Sequence, residues 1–348
     1  MRRTTAILLT AAGLAGVAVA RRRAAARGVD NPAPEGPTER PAPLQGRVRT
    51  VVTEDGVELH VEEHGPQDAA ATLVLAHGYT QACSLWDGQV RDLLAARDDL
   101  RVVVYDHRGH GRSGRTAREA ATLEQLGRDL AAVIEAAAPT GPLLLGGHSM
   151  GGMTLMAFAE QHPELVRNRV VGVAFVGTST GELAAVRWGL PRVVAPVFRR
   201  LLPVVNAAAY RAELTGRPRT QVAWFEAFVN FASGADPADV RAVLEVQQSC
   251  SAETMHFFLA TFSDHDRAEA LEALGHAESL VVVGEQDRLC PVDHSRRLAA
   301  ALPRTELAVY PGAGHMVHLE RRPEVSRRLV DLVERSLTTA GEPVRTAG

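Results

Sequence analysis

The chemistry this sequence could perform centres on a serine held between glycines. Gly147-His148-Ser149-Met150-Gly151 follows the apolar run Leu143–Gly147 and leads through Gly152 into a helical pattern. This is G-x-S-x-G in the strand–turn–helix setting it requires. A serine on a strained turn can project its oxygen only where small flanking residues let strand and helix approach. With 30 Gly and 12 Ser in 348 residues, chance supplies about 0.09 copies of the pattern. A hydroxyl attacks a carbonyl when a base takes its proton and a carboxylate holds that base's working tautomer. Of the 13 His, His315 is the candidate base, because Gly312-Ala313-Gly314 before it frees a loop just past the last apolar run. His318 is the fallback, while His77 and His148 read as packing or hydrogen-bonding residues. Asp287, directly after Leu280–Gly284, is the candidate carboxylate, with Glu285 and Asp293 as alternatives. Catalytic groups in open α/β sheets gather at the C-terminal ends of strands. The order Ser149, Asp287, His315 is the one that accompanies this elbow. Two backbone N–H groups suit a developing oxyanion: that of Met150 at a helix start, and that of Tyr79, aimed by Gly78 in His77-Gly78-Tyr79-Thr80.

The elements that must position these residues alternate along the chain. Apolar runs predict strands over Thr50–Thr53, Val57–Glu63, Thr72–Ala76, Arg101–Tyr105, Leu143–Gly147, Val170–Gly177, Leu280–Gly284 and Glu306–Tyr310. Glu54-Asp55-Gly56 marks a hairpin between the first two. Runs such as Val102-Val103-Val104 and Val281-Val282-Val283 suit strands covered on both faces, as in parallel sheets. Helical periodicity covers Leu85–Ala96, Leu123–Ala138, Met150–Gln161, His294–Ala301 and Glu324–Leu337, giving a doubly wound α/β sheet. The alternation breaks over about 178–269, where roughly ninety residues carry helical patterns and no convincing strand. That stretch reads as a helical cap inserted before the last two strands. In it Trp224, Phe225 and Phe228, then Phe257 and Phe258, supply either cap core or the lining of an apolar substrate pocket.

Composition narrows the class. The net charge of −3, with 38 Lys+Arg against 41 Asp+Glu, gives no electrostatic case for nucleic acid as a partner. Every basic residue is Arg, as a GC-rich coding bias produces. Three cysteines, Cys83, Cys250 and Cys290, in no ligand-like spacing point to neither a disulfide framework nor a metal site. Residues 1–23 hold an uncharged run, Thr4–Ala20, between Arg2-Arg3 and Arg21-Arg22-Arg23. This segment reads as an N-terminal membrane anchor, with an export signal or an inert cytoplasmic extension as the alternatives. Residues 24–47 read as a Pro- and Ala-rich linker, and 48–340 as the folded domain.

The residues His77-Gly78-Tyr79, Asp106-His107-Arg108-Gly109-His110-Gly111-Arg112-Ser113, Gly147-His148-Ser149-Met150-Gly151-Gly152, Asp287 and Gly314-His315 resemble the α/β-hydrolase superfamily, in its capped, esterase- and lipase-like serine branch. They run from about residue 50 to 335 in the family's order. The resemblance implies a mostly parallel eight-stranded sheet with helices on both faces. It also implies a mainly structural role for Asp106–Ser113. Dehalogenase and epoxide hydrolase relatives use an aspartate nucleophile, so Ser149 argues against those activities.

The expected activity is cleavage of small-molecule carboxylic esters with an apolar acyl or alcohol group, through an acyl-enzyme and without cofactor or metal. C–C bond hydrolase, thioesterase, lactonase and perhydrolase activities stay open, since they use the same triad. A non-catalytic binding protein on this fold, or a membrane-tethered scaffold, is the alternative of another class.

Overall fold

The computed structural model describes residue 44, residues 46–216 and residues 223–341. Eight strands form one sheet: β1 (Arg47–Val52), β2 (Glu58–His64), β3 (Ala71–Ala76), β4 (Leu100–Tyr105), β5 (Leu143–His148), β6 (Val170–Val176), β7 (Glu278–Gly284) and β8 (Thr305–Tyr310). Their spatial order is β1-β2-β4-β3-β5-β6-β7-β8. The β1–β2 and β2–β4 pairings are antiparallel, and every pairing from β4 to β8 is parallel. The first hairpin turns where Asp55-Gly56 sits: Gly56 adopts φ +83° and its N–H donates to the Thr53 carbonyl at 2.9 Å.

Between strands run α1 (Asp87–Ala96), α2 (Leu123–Ala137), α3 (Met150–Gln161) and the short α4 (Pro163–Arg169). Among the described residues four α-helices lie between β6 and β7: α5 (Ala195–Leu214), α6 (Ala223–Asn230), α7 (Pro237–Ser249) and α8 (Ala252–Phe258). After β7 come α9 (Val292–Ala300), α10 (Val317–Glu320) and α11 (Arg322–Gly341). Because side chains alternate across a strand, the sheet buries two apolar surfaces. Val74, Val103, Leu145 and Phe175 meet Leu130, Ile134 and Phe158 of α2 and α3. Leu73, Leu75, Leu144 and Val282 meet Leu93 of α1 and Leu329 and Leu332 of α11. This double coverage is why β3, β4 and β7 read as unbroken apolar runs. The last strand, β8, has β7 as its one hydrogen-bonded neighbour, and its Leu307 and Val309 are 37% and 36% exposed.

Asp106–Ser113 forms a turn held by its own polar groups. The two Asp106 oxygens accept the backbone N–H groups of Cys83 at 2.7 Å and Arg112 at 2.9 Å. The fully buried Arg108 donates to both Asp129 oxygens at 2.6 Å and reaches Asp55 at 2.7 Å. Such a pair is costly to break from one side, which suits a fastening between β4 and α2.

One expectation is corrected. The chain was expected to be membrane-anchored, yet among the described residues no helix is long and apolar enough to cross a membrane. Thr4–Ala20 lies outside the described residues.

Candidate active site

Parallel pairing brings the C-terminal ends of β3, β5, β7 and β8 to one edge of the sheet, and the singled-out residues follow those ends. Ser149 joins β5 to α3 with φ 52° and ψ −117°, a conformation that costs a non-glycine residue about 1–3 kcal/mol. Its neighbours hold it there. The Ser149 N–H donates to the Val176 carbonyl at 2.9 Å, and its own carbonyl accepts the Thr178 hydroxyl at 2.7 Å. The glycines make the crossing feasible. A Cβ on Gly147 would stand 2.5 Å from the Gly151 carbonyl carbon, and one on Gly151 would press into the Ala76 carbonyl.

His315 and Asp287 meet between β7 and β8. His315 Nδ1 lies 2.9 Å from Asp287 Oδ2, and Asp287 Oδ1 accepts the N–H groups of Leu289 and Cys290, both at 2.8 Å. With both oxygens engaged, the carboxylate cannot rotate. As an acceptor it assigns the ring hydrogen to Nδ1, which leaves Nε2 with the lone pair a general base needs. Both side chains are buried. Of the alternatives, Glu285 is exposed and Asp293 pairs with Arg296 at 2.8 Å on the surface. His318 packs its ring 4.7 Å from that of Trp86. Burial and the Asp287 charge push the Cys290 thiol well above its usual pKa, so it stays protonated and unreactive.

The turn after β3 is closed by the Gln81 N–H donating to the Gly78 carbonyl at 3.2 Å, with Thr80 at φ +59°. The Tyr79 backbone therefore occupies a fixed corner. Its phenol donates to the Met255 carbonyl at 2.6 Å. Two residues tie this turn to the rest of the site. Gln81 Oε1 accepts the Gly78 N–H at 3.0 Å and faces His148 Nδ1, also at 3.0 Å. On its other side the His148 ring faces the His315 carbonyl from Nε2 at 3.0 Å. Burial, with His318 and His315 alongside, holds His148 well below the usual histidine pKa, so it stays neutral. Met150 begins α3, where the first N–H groups have no earlier carbonyl to serve.

The aromatic residues divide. Phe258 is fully buried against Met150 and Met153, with Phe257, Tyr79 and Phe262 partly buried at the edge of that cluster. Phe225 and Phe228 form a second group, with Phe198 4.9 Å from Phe225 and the Arg288 guanidinium 4.3 Å over Phe228. The side chain of Trp224 lies outside the described part of the structure. Among the described residues there is no cluster of His, Cys, Asp or Glu that could hold a metal ion.

Sequence reasoning missed Thr178 and Gln81, polar residues two positions past the end of β6 and five past the end of β3.

Comparisons with known proteins agree with this fold. The family model described as serine aminopeptidase, S33 matches residues 67–322. A monoacylglycerol lipase of Mycolicibacterium smegmatis is 31% identical over 259 residues, covering 73% of this chain and 84% of that protein. A bifunctional esterase/perhydrolase of Acinetobacter calcoaceticus is 25% identical over 287 residues, 81% of this chain and 98% of its own. Among solved structures, a thermophilic esterase from Thermogutta terrifontis superposes with a TM-score of 0.67 at 23% identity, over 83% of this chain and 99% of that one. The chain belongs to the serine aminopeptidase S33 family of α/β-hydrolases.

Proposed function

We propose that the protein is a serine hydrolase that cleaves carboxylic esters with an apolar acyl or alcohol group, and that Ser149, His315 and Asp287 carry the reaction. Ser149 attacks the ester carbonyl while His315 Nε2 takes its proton. The oxyanion forms against the N–H groups of Met150 and Tyr79. Collapse expels the alkoxide, which receives the proton from His315, and water then cleaves the acyl-enzyme by the same steps. Asp287 stabilises the transiently charged imidazole. The observation that carries this reading is the His315–Asp287 contact at 2.9 Å, on the sheet edge where β5 presents a serine at positive φ. Helices α5–α8 act as a cap, and the Tyr79, Phe257 and Phe262 side chains beside Met150 supply an apolar wall for the acyl chain. Relatives named lipase and esterase support the ester class.

The test is a fluorophosphonate probe together with p-nitrophenyl esters of rising chain length. Wild type should be labelled and should turn over the esters, with kcat/KM rising from acetate toward medium chains. Ser149→Ala should lose labelling and roughly 10⁴-fold or more in kcat while keeping its fold. A mutant retaining a tenth of wild-type turnover overturns the assignment.

A further inference from the structure

The segment that ends α6 is fastened at several points to the two loops carrying Asp287 and His315. Arg288, next to Asp287, donates from one guanidinium nitrogen to the Phe228 carbonyl at 2.6 Å and the Phe231 carbonyl at 2.7 Å. The first carbonyl belongs to the last turn of α6 and the second lies just past it, where a cation is favourably placed. The Met316 N–H, just past His315, donates to the Asn230 carbonyl at 3.0 Å. Between these contacts lies Glu320, at the end of α10. Its Oε1 accepts the N–H of Gly314 at 2.8 Å, and its Oε2 accepts the N–H of Ala232 at 3.0 Å. Gly314 has no room for a side chain there, since a Cβ would lie 2.5 Å from the Ala232 nitrogen. One carboxylate thus bridges the residue before His315 and the segment after α6, with no oxygen left over for another strong anchor.

We propose that Glu320 is a positioning residue for the reaction: its carboxylate locks the His315 loop to the foot of the inserted helices, so that the two move as one body. The proposal rests on His315 being the base. An acceptor-only group is needed, because both facing partners are N–H donors. A carboxylate meets that need, and an amide meets half of it. In Glu320→Gln one N–H must face an NH₂ group, so one end of the bridge opens. If that is the Gly314 end, the His315 ring loses its fixed approach to the nucleophile. If it is the Ala232 end, the inserted helices part from the loop.

The experiment measures kcat and KM for Glu320→Gln and His315→Ala on p-nitrophenyl acetate and decanoate, with far-UV circular dichroism to confirm folding. Glu320→Gln should lose ten- to hundredfold in kcat on both esters, while KM for acetate changes less than threefold. A merely structural role would leave kcat per folded molecule unchanged. If His315→Ala is inactive and Glu320→Gln turns over within twofold of wild type, the bridge does not position the base. If His315→Ala stays active, the underlying assignment fails and this proposal fails with it.

A second measurement on wild type serves if the variant does not fold. The amide ¹H–¹⁵N signals of Gly314 and Ala232 should titrate together with one midpoint. That midpoint should lie above the usual carboxylate range, because burial raises the Glu320 pKa. The charged groups facing it are Arg288 and Arg321, with Asp287 as the like charge. Separate midpoints, or no titration of either signal, overturn the shared bridge.

Discussion

Replacing Asp287 by Asn changes one atom and should disable the enzyme through the tautomer of His315. The Leu289 and Cys290 N–H groups both lie 2.8 Å from Oδ1, so that position demands an acceptor. Turning the new amide nitrogen toward them would set a donor against two donors, at a cost of about 1–3 kcal/mol for each unmet group. The amide oxygen therefore stays on those two N–H groups, and the NH₂ faces His315 Nδ1 across 2.9 Å. Nδ1 must then accept, which moves the ring hydrogen to Nε2, where it blocks removal of the Ser149 proton. Loss of the working tautomer in such triads costs about 10⁴ in kcat, or about 5.4 kcal/mol at 1.36 kcal/mol per tenfold. The assay is steady-state hydrolysis of p-nitrophenyl butyrate at neutral pH, with thermal melting to show that the isosteric variant is folded. Turnover of Asp287→Asn within tenfold of wild type would refute both the tautomer argument and the orientation set by the two backbone donors.

Two further outcomes follow from the surrounding structure. Gly151→Ala should destabilise the fold by ~1–3 kcal/mol and slow fluorophosphonate labelling, because its Cβ must displace the Ala76 carbonyl. An unchanged melting temperature together with unchanged labelling rules that out. Glu62 is held down at about 2, mainly by its hydrogen bond with His64, aided by His60 and Arg112. A carboxylate with a depressed folded pKa contributes stability above its usual range and loses it as pH falls. Wild type should therefore melt above Glu62→Gln at neutral pH, and the gap should close between about pH 4.5 and 2. A gap that persists at pH 2 contradicts the assignment.

What the sequence disclosed and what it hid divide along sequence distance. The elbow was legible because its constraint is local: the glycines around Ser149 are spaced for one strand–helix crossing, and the positive φ follows from that crossing. Asp287 and His315 were legible because each follows an apolar run by a few residues, and parallel pairing carries such positions to a common edge. The short helix α4 (Pro163–Arg169) escaped, since seven residues are too few to show helical periodicity. The aromatic residues were read as one set because helical spacing says nothing of which neighbour a face meets. Phe258 joins Met150, whereas Phe225 joins Phe198. Glu320 was hidden for the same reason. Its partner Ala232 lies 88 positions away, and only the folded chain brings the two together.

The position of β8 ranks the parts of the site by how firmly they are held. Ser149 follows β5 and the Tyr79 turn follows β3, and both strands are hydrogen-bonded on each side. His315 follows β8, which leans on β7 alone and shows Leu307 and Val309 to solvent. Opening an edge strand breaks one ladder, whereas opening an interior strand breaks two, so β8 belongs to the low-cost end of the molecule's partial unfolding. His315, the proposed base, is thus mounted on one of the sheet's two edge strands, the other being β1. Loosening β8 alone would displace His315 while the strands that carry Ser149 and the Tyr79 turn keep both of their ladders.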